Sequence, residues 1–105
     1  MLADLAARSH GVATRAQLLA AGISTDEVGH RVRGGALIRV HRGVYRVGHR
    51  APSVEATYLA AVWACGKGAV LSGRAAAYLW GLLKGRPPKP EVTAPTKREV
   101  PGVIT

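Results

Sequence analysis

"TRAQLLAAGISTDEV", residues 14–28, contains two helix starts ten residues apart, and that spacing decides the fold. Thr14 with Gln17, and Ser24 with Glu27, each fit a capping box, in which a hydroxyl and a side chain three residues on satisfy orphan amides at a helix N-terminus. Between them "AAGI" is short enough for a tight glycine turn, with Ile23 placed as a staple for the second helix. Two short helices joined in this way have helix-turn-helix spacing. The first carries Leu18 and Leu19 to Gly22, and the second runs on to Gly34-Gly35. Upstream, Leu2, Leu5 and Ala6 share one face of a further helix over residues 2–9, closed by Gly11.

Downstream, "ALIRVHRGVYRVG", residues 36–48, predicts a hairpin with strands Leu37 to His41 and Val44 to Val47 around Arg42-Gly43. A two-residue turn puts Ile38, Val40, Tyr45 and Val47 on one face, and Arg39, His41 and Arg46 on the other beside Val44. Arg39 then opposes Arg46, which costs a few tenths to about 1 kcal/mol in an isolated sheet, and a phosphate between them would reverse the sign. A loop bulged at Gly43 would shift the pairing and mix the faces, and the hydrophobic pattern favours the tighter turn.

Three helices and a hairpin predict an α+β chain, a mainly helical winged helix-turn-helix over residues 1–48 followed by a small α/β extension over 49–105. In the extension, a helix from about Val54 to Cys65 is apolar on nearly every side and must be well buried. A short strand "AVLS", a short helix "GRAAAYLWGL" capped by Ser72, a stiff basic linker "KGRPPKP" and a candidate strand "EVTAP" follow. "REVPGVIT" reads as a strand entered but not completed.

Fifteen Lys and Arg against six acids, a formal charge of +9, point to a polyanionic partner. The cations cluster: from His30 to Arg50 there are six Arg, three His and no acid or Lys. Arg suits planar, bidentate contact to phosphate or guanine, whereas a codon bias toward Arg and Ala accounts for the composition but not for the clustering. Cys65 has no partner in the chain, which argues for a reducing cytoplasm and a small buried apolar role. The N-terminus lacks a signal-length apolar stretch, and the longest apolar run, Tyr58 to Cys65, is too short to span a bilayer.

In the winged arrangement the helix after Ser24 enters the major groove, the helix after Thr14 braces against the backbone and the hairpin contacts phosphate or the minor groove. Val28 and Val32 mark the buried side of the recognition helix. His30 and Arg33 face away from it as donors to base edges or phosphate, with Arg31 on the flank. Asp26 and Glu27 share that outer side, where an acid accepts from a cytosine amino group, but Glu27 is equally spaced to pair with Arg31. Thr14 and Arg15 stand at a helix N-terminus suited to phosphate, although Thr14 also serves simply as the cap. Arg39, His41, Arg42 and Arg46 form the basic face of the wing, and edge protection is the plainer reading of the same charges. A second cluster, Lys84, Arg86, Lys89, Lys97 and Arg98, either extends the DNA contact or solvates a linker.

Enzymatic motifs fail. "GKGAVLSG" lacks phosphate-loop spacing, and Ser72 stands outside a nucleophile motif. The four His are scattered without metal-ligand spacing, and the six acids offer no close carboxylate set for magnesium. The expectation is a protein with no catalytic residues, no metal and no cofactor.

"LAARSHGVATRAQLLAAGIS" followed by "RVRGGALIRVHRGVYRVGH" resembles the N-terminal winged-helix domain of AbiEi-like type IV antitoxins, transcriptional regulators paired with abortive-infection toxins. "AAVWACGKGAVLSGRAAAYLWGL" and "PEVTAP" are similar to the segment that follows it in many actinobacterial members, so the resemblance spans about residues 2–96. It departs at Gly73, where His is expected in "VLSH", and at Ala75, where Ser is usual. The resemblance implies double-stranded DNA binding and repression of the protein's own toxin-antitoxin operon in the cytoplasm, at the nucleoid. Candidate partners are a cognate toxin and a second copy of the chain, and no membrane. Many members continue into an antitoxin or endonuclease-like part, so residues 49–105 read as a truncated second domain. The alternatives are a protein-interaction module whose segment 54–82 docks on a toxin or on itself, and a remnant of an endonuclease-bearing or longer antitoxin protein.

Overall fold

The two helix starts are where the chain turns in the computed structural model, which describes residues 10–48, 53–96 and 98–105. The helix expected over residues 2–9 lies outside the described residues. Thr14 caps α1 (Arg15–Ala20) with a full capping box: its hydroxyl accepts from the Gln17 amide at 3.1 Å, and its own amide donates to Gln17 Oε1 at 3.0 Å. Ser24 caps α2 (Thr25–Arg33), accepting from the Glu27 amide at 3.1 Å. Its box is not reciprocal, because the Glu27 carboxylate accepts instead from Arg31 one turn on, at 3.1 Å.

Between the helices the turn is a Schellman motif. The amides of Gly22 and Ile23 donate back to the carbonyls of Leu19 and Leu18, at 3.0 and 3.1 Å, and Gly22 takes the positive φ of +93° that the motif requires. Ile23 and Leu18 meet in one buried cluster with Ala13, Val28, Leu37 and Tyr45, which supplies the apolar contact that usually accompanies the motif.

A strand that the sequence did not announce precedes α1. β1 (Val12–Thr14) joins β2 (Leu37–His41) and β3 (Val44–Val47) in an antiparallel sheet of order β1-β3-β2. Three residues are too few to display alternation, and the strand runs straight into the cap residue Thr14. The extra strand makes β3 central, paired at both edges, and its two faces are covered by different layers. Tyr45 packs with the α1–α2 cluster, while Val44 packs with Val12, Ala56 and Ala60.

That double burial corrects the expected hairpin register. The turn does hold Arg42 and Gly43, with His41 opposite Val44, but a bulge between Arg39 and His41 leaves Val40 as the extra residue. Arg39 therefore pairs with Tyr45, Ile38 with Arg46 and Leu37 with Val47, so the like-charge pair of Arg39 and Arg46 does not form. Leu37, at 1% exposure, is the inward residue of β2, whereas Ile38 and Val40 are each 36% exposed. A one-residue shift moves every side chain to the other face. On a strand buried on both sides, the apolar pattern of β3 is compatible with either register.

α3 (Val54–Ala64), capped by Ser53, is the apolar helix expected to be well buried, and it is so on the side of Ala56, Tyr58, Ala60 and Ala61, while Leu59, Val62 and Trp63 are half-buried and Glu55 and Thr57 exposed. Ala56 and Ala60 press against Val12 and Val44, and Ala61 and Cys65 pack with Val92, Leu71 and Ala94. It thus lies between the first sheet and a second, two-stranded antiparallel one, β4 (Val70–Leu71) with β5 (Val92–Thr93). Glu91 also bridges to Ile104, which is as far as the C-terminal strand goes. α4 (Gly73–Leu79) lies between β4 and β5 in the chain. Ser72 stands at its N-cap without making a side-chain capping bond, and the Glu91 carboxylate accepts from the Arg74 amide at 3.1 Å instead. The described residues thus form an α+β fold with four helices and two small antiparallel sheets.

Candidate nucleic-acid interface

The cations singled out from the sequence separate into three groups by what holds them. Arg15, at the first position of α1, is exposed and reaches across the helix turn to Thr25, its Nη2 donating to the Thr25 hydroxyl at 3.4 Å. This long contact brings the N-terminal ends of α1 and α2 side by side. Thr14, half-buried beside it, spends its hydroxyl on the Gln17 amide. Thr25 is a residue that sequence reasoning passed over, since it stood inside a capping motif and gave no signal of its own.

On α2 the buried side is Val28, with Val32 packed behind it. His30 and Arg33 are exposed on the outer side together with Asp26. Gly29 sits one turn before Arg33, and a Cβ there would lie 3.3 Å from the guanidinium, so the glycine leaves room for Arg33 to fold along the helix. Arg31 is committed within the helix to Glu27. The exchange leaves His30 and Arg33 as the exposed basic side chains of α2, at its C-terminal half, where they also suit the helix dipole.

The hairpin residues divide between two faces. Arg39 pairs with Tyr45, on the side of the sheet that packs against α1 and α2, and Arg42 is exposed at the turn. His41 and Arg46 are on the opposite side. Both line a small cavity of about 100 Å³ with Val12, Ala56, Thr57 and Ala60 of the α3 interface. Burial there removes hydration from the His41 ring and lowers its pKa below the ordinary histidine value, so His41 is neutral at neutral pH. The single basic face expected from Arg39, His41, Arg42 and Arg46 is therefore two surfaces, parted by the bulge at Val40.

Other concavities are poor in chemistry. The cleft of about 440 Å³ between α3, Leu71 and Leu79 is walled by Tyr58, Leu59, Val62 and Trp63, with His10 and Glu55 its titratable groups. Burial pushes the Tyr58 hydroxyl and the Cys65 thiol up, away from the reactive anions, although Arg98 partly opposes the shift at Cys65. Among the described residues no three His, Cys, Asp or Glu side chains gather where a metal ion could be held. Nor is any described helix long and apolar enough to cross a membrane. What the described surface does offer is amides and cations, which is the chemistry of phosphate contact.

Residues 1–48 match the family model described as "Transcriptional regulator, AbiEi antitoxin". No curated protein matches the chain.

Proposed function

We propose that this chain, whose residues 1–48 are an AbiEi-like antitoxin N-terminal domain, binds double-stranded DNA as a winged helix-turn-helix and represses its own operon without performing chemistry. The observation that carries the reading is the pairing of α1 and α2 through a Schellman turn, beside a sheet of order β1-β3-β2 whose hairpin serves as the wing. In this reading α2 enters the major groove. His30 and Arg33 read base edges, Arg15 holds a phosphate at the α1 N-terminus, and Arg39 and Arg42 meet the backbone beside it. Thr14 and Arg31 shape the helices that present these groups, and His41 and Arg46 support the wing from the α3 side. In the extension, α3 covers the back of the sheet through Ala56 and Ala60. Such a protein works at the nucleoid, and a cognate toxin and a second copy of the chain remain its proposed partners.

Titration of a duplex from the protein's own upstream region tests the reading. Three phosphate contacts predict a loss of affinity of about 40-fold between 50 and 200 mM salt. Arg39→Ala and Arg42→Ala should each weaken all sequences alike and flatten the salt slope by about one, whereas Arg33→Ala should relax sequence preference. Affinity that ignores salt, or a scrambled duplex bound as tightly as the upstream one, would refute the assignment.

A further inference from the structure

The most exposed large apolar side chains lie far in the chain from α2 and the wing. Trp80 is 81% exposed and Leu82 76%, with Leu79 beside them at 46%. They sit on a hydrogen-bonded turn. The Gly81 amide donates to the Tyr78 carbonyl at 3.0 Å and the Leu82 amide to the Ala77 carbonyl at 2.9 Å, a second Schellman motif with Gly81 at φ +81°. In the first motif the residue after the glycine, Ile23, is buried against Leu18. Here the corresponding partner of Leu82 is Ala77, a methyl group too small to cover it, and the turn holds Leu82 and Trp80 outward.

The chain on either side of the turn is basic. Arg74, Lys84, Arg86 and Lys89 are exposed, and no acid occurs in sequence between Glu55 and Glu91. The stretch after the turn is tied to α3, because the Pro88 carbonyl between Arg86 and Lys89 accepts from the Tyr58 hydroxyl at 2.6 Å. An exposed Trp and Leu within a basic stretch of chain have the composition of a protein interface hot spot.

We propose that the α4 turn is a docking site for an acidic protein, one that presents an apolar pocket for Trp80 and Leu82 beside carboxylates that meet Lys84 and Arg86. Charge complementarity with the basic stretch selects this occupant. A second copy of a chain with formal charge +9 would bring like charges together. Nucleic acid gains from stacking on Trp80 but has nothing to place on two leucines.

The test places the photo-crosslinking residue p-benzoylphenylalanine in place of Trp80 in the full chain expressed in its native host. A second chain carries it in place of Thr96, which is also exposed, as the control. The expected result is an adduct specific to position 80 whose protein component is net negative. Once purified, that protein binds the unmodified chain with an affinity that drops as salt rises. The affinity falls at least tenfold in Trp80→Ala and in the double variant Lys84→Glu/Arg86→Glu. Trp80→Ala should retain the parent's thermal midpoint and its duplex-DNA affinity, which separates lost docking from lost folding. The proposal is overturned by the absence of a position-80 adduct, by an adduct to nucleic acid, lipid or the chain itself, or by a protein partner indifferent to either variant. Loss of duplex-DNA binding in Trp80→Ala would assign the turn to the DNA interface and overturn it as well.

Discussion

Gly73 shows how much a single position can decide. It has a φ of +57°, and a Cβ built on it would overlap the Glu91 carboxylate that accepts from the Arg74 amide. Gly73→Ala therefore combines a left-handed backbone cost with loss of a charge-assisted bond at the start of α4. Together these should destabilise the chain by about 2 kcal/mol, a fall of about 10 °C in the thermal midpoint. A midpoint within 2 °C of the parent would be about the scale of a neutral change and would dismiss the account. The sequence marked position 73 only as a departure from the resembling family; that the missing side chain makes way for a carboxylate eighteen residues away is a tertiary fact. His41 is a second such case. Its folded-state pKa lies below the unfolded value of about 6.5 because burial penalises the charged ring. In the window between those two values the unfolded chain binds more protons, so stability is intact above about pH 6.5 and declines as the pH falls below it. Chemical denaturation across that range should show the loss, and His41→Gln should abolish its histidine component.

At the scale of elements, the two Schellman turns make the same backbone bonds for opposite ends. The turn after α1 buries Ile23 and aims α2, whereas the turn after α4 leaves Leu82 in water. Ile23→Ala should cost about 2–3 kcal/mol through loss of burial and the cavity left behind, while Leu82→Ala should remain within about 0.5 kcal/mol. Equal effects in urea denaturation would mean that the two turns are packed alike. Glycine and capping residues made both helices of the first pair legible, since Thr14, Gln17, Gly22 and Ser24 act within a few residues of themselves. The reciprocal half of the Ser24 box was not legible, because Glu27 had two partners within reach and chose Arg31. Nor was the non-capping role of Ser72, whose place is taken by Glu91 from a distant strand.

Across the whole molecule, α3 is the element shared by two of the three buried clusters, one against the first sheet and a second core with Val92. Ala61 has no exposure and Ala60 almost none, on adjacent positions that serve different clusters. Ala61→Leu should overpack the second core and cost about 1–3 kcal/mol. A single broadened or split unfolding transition would show that the two cores report separately, and an unchanged melt would count against close packing at Ala61. By itself the sequence determined the helix pair, the hairpin turn at Arg42-Gly43, the apolar character of α3 and the excess of positive charge, because each rests on local hydrogen bonding, local periodicity or composition. Only the tertiary structure decided the presence of β1, the bulge at Val40 and the separation of Arg39 from Arg46. The physical reason lies in β3: with α3 over one face and the α1–α2 cluster over the other, both faces of that strand are covered, and register passes from its hydrophobic pattern to the packing of Leu37 beneath α2.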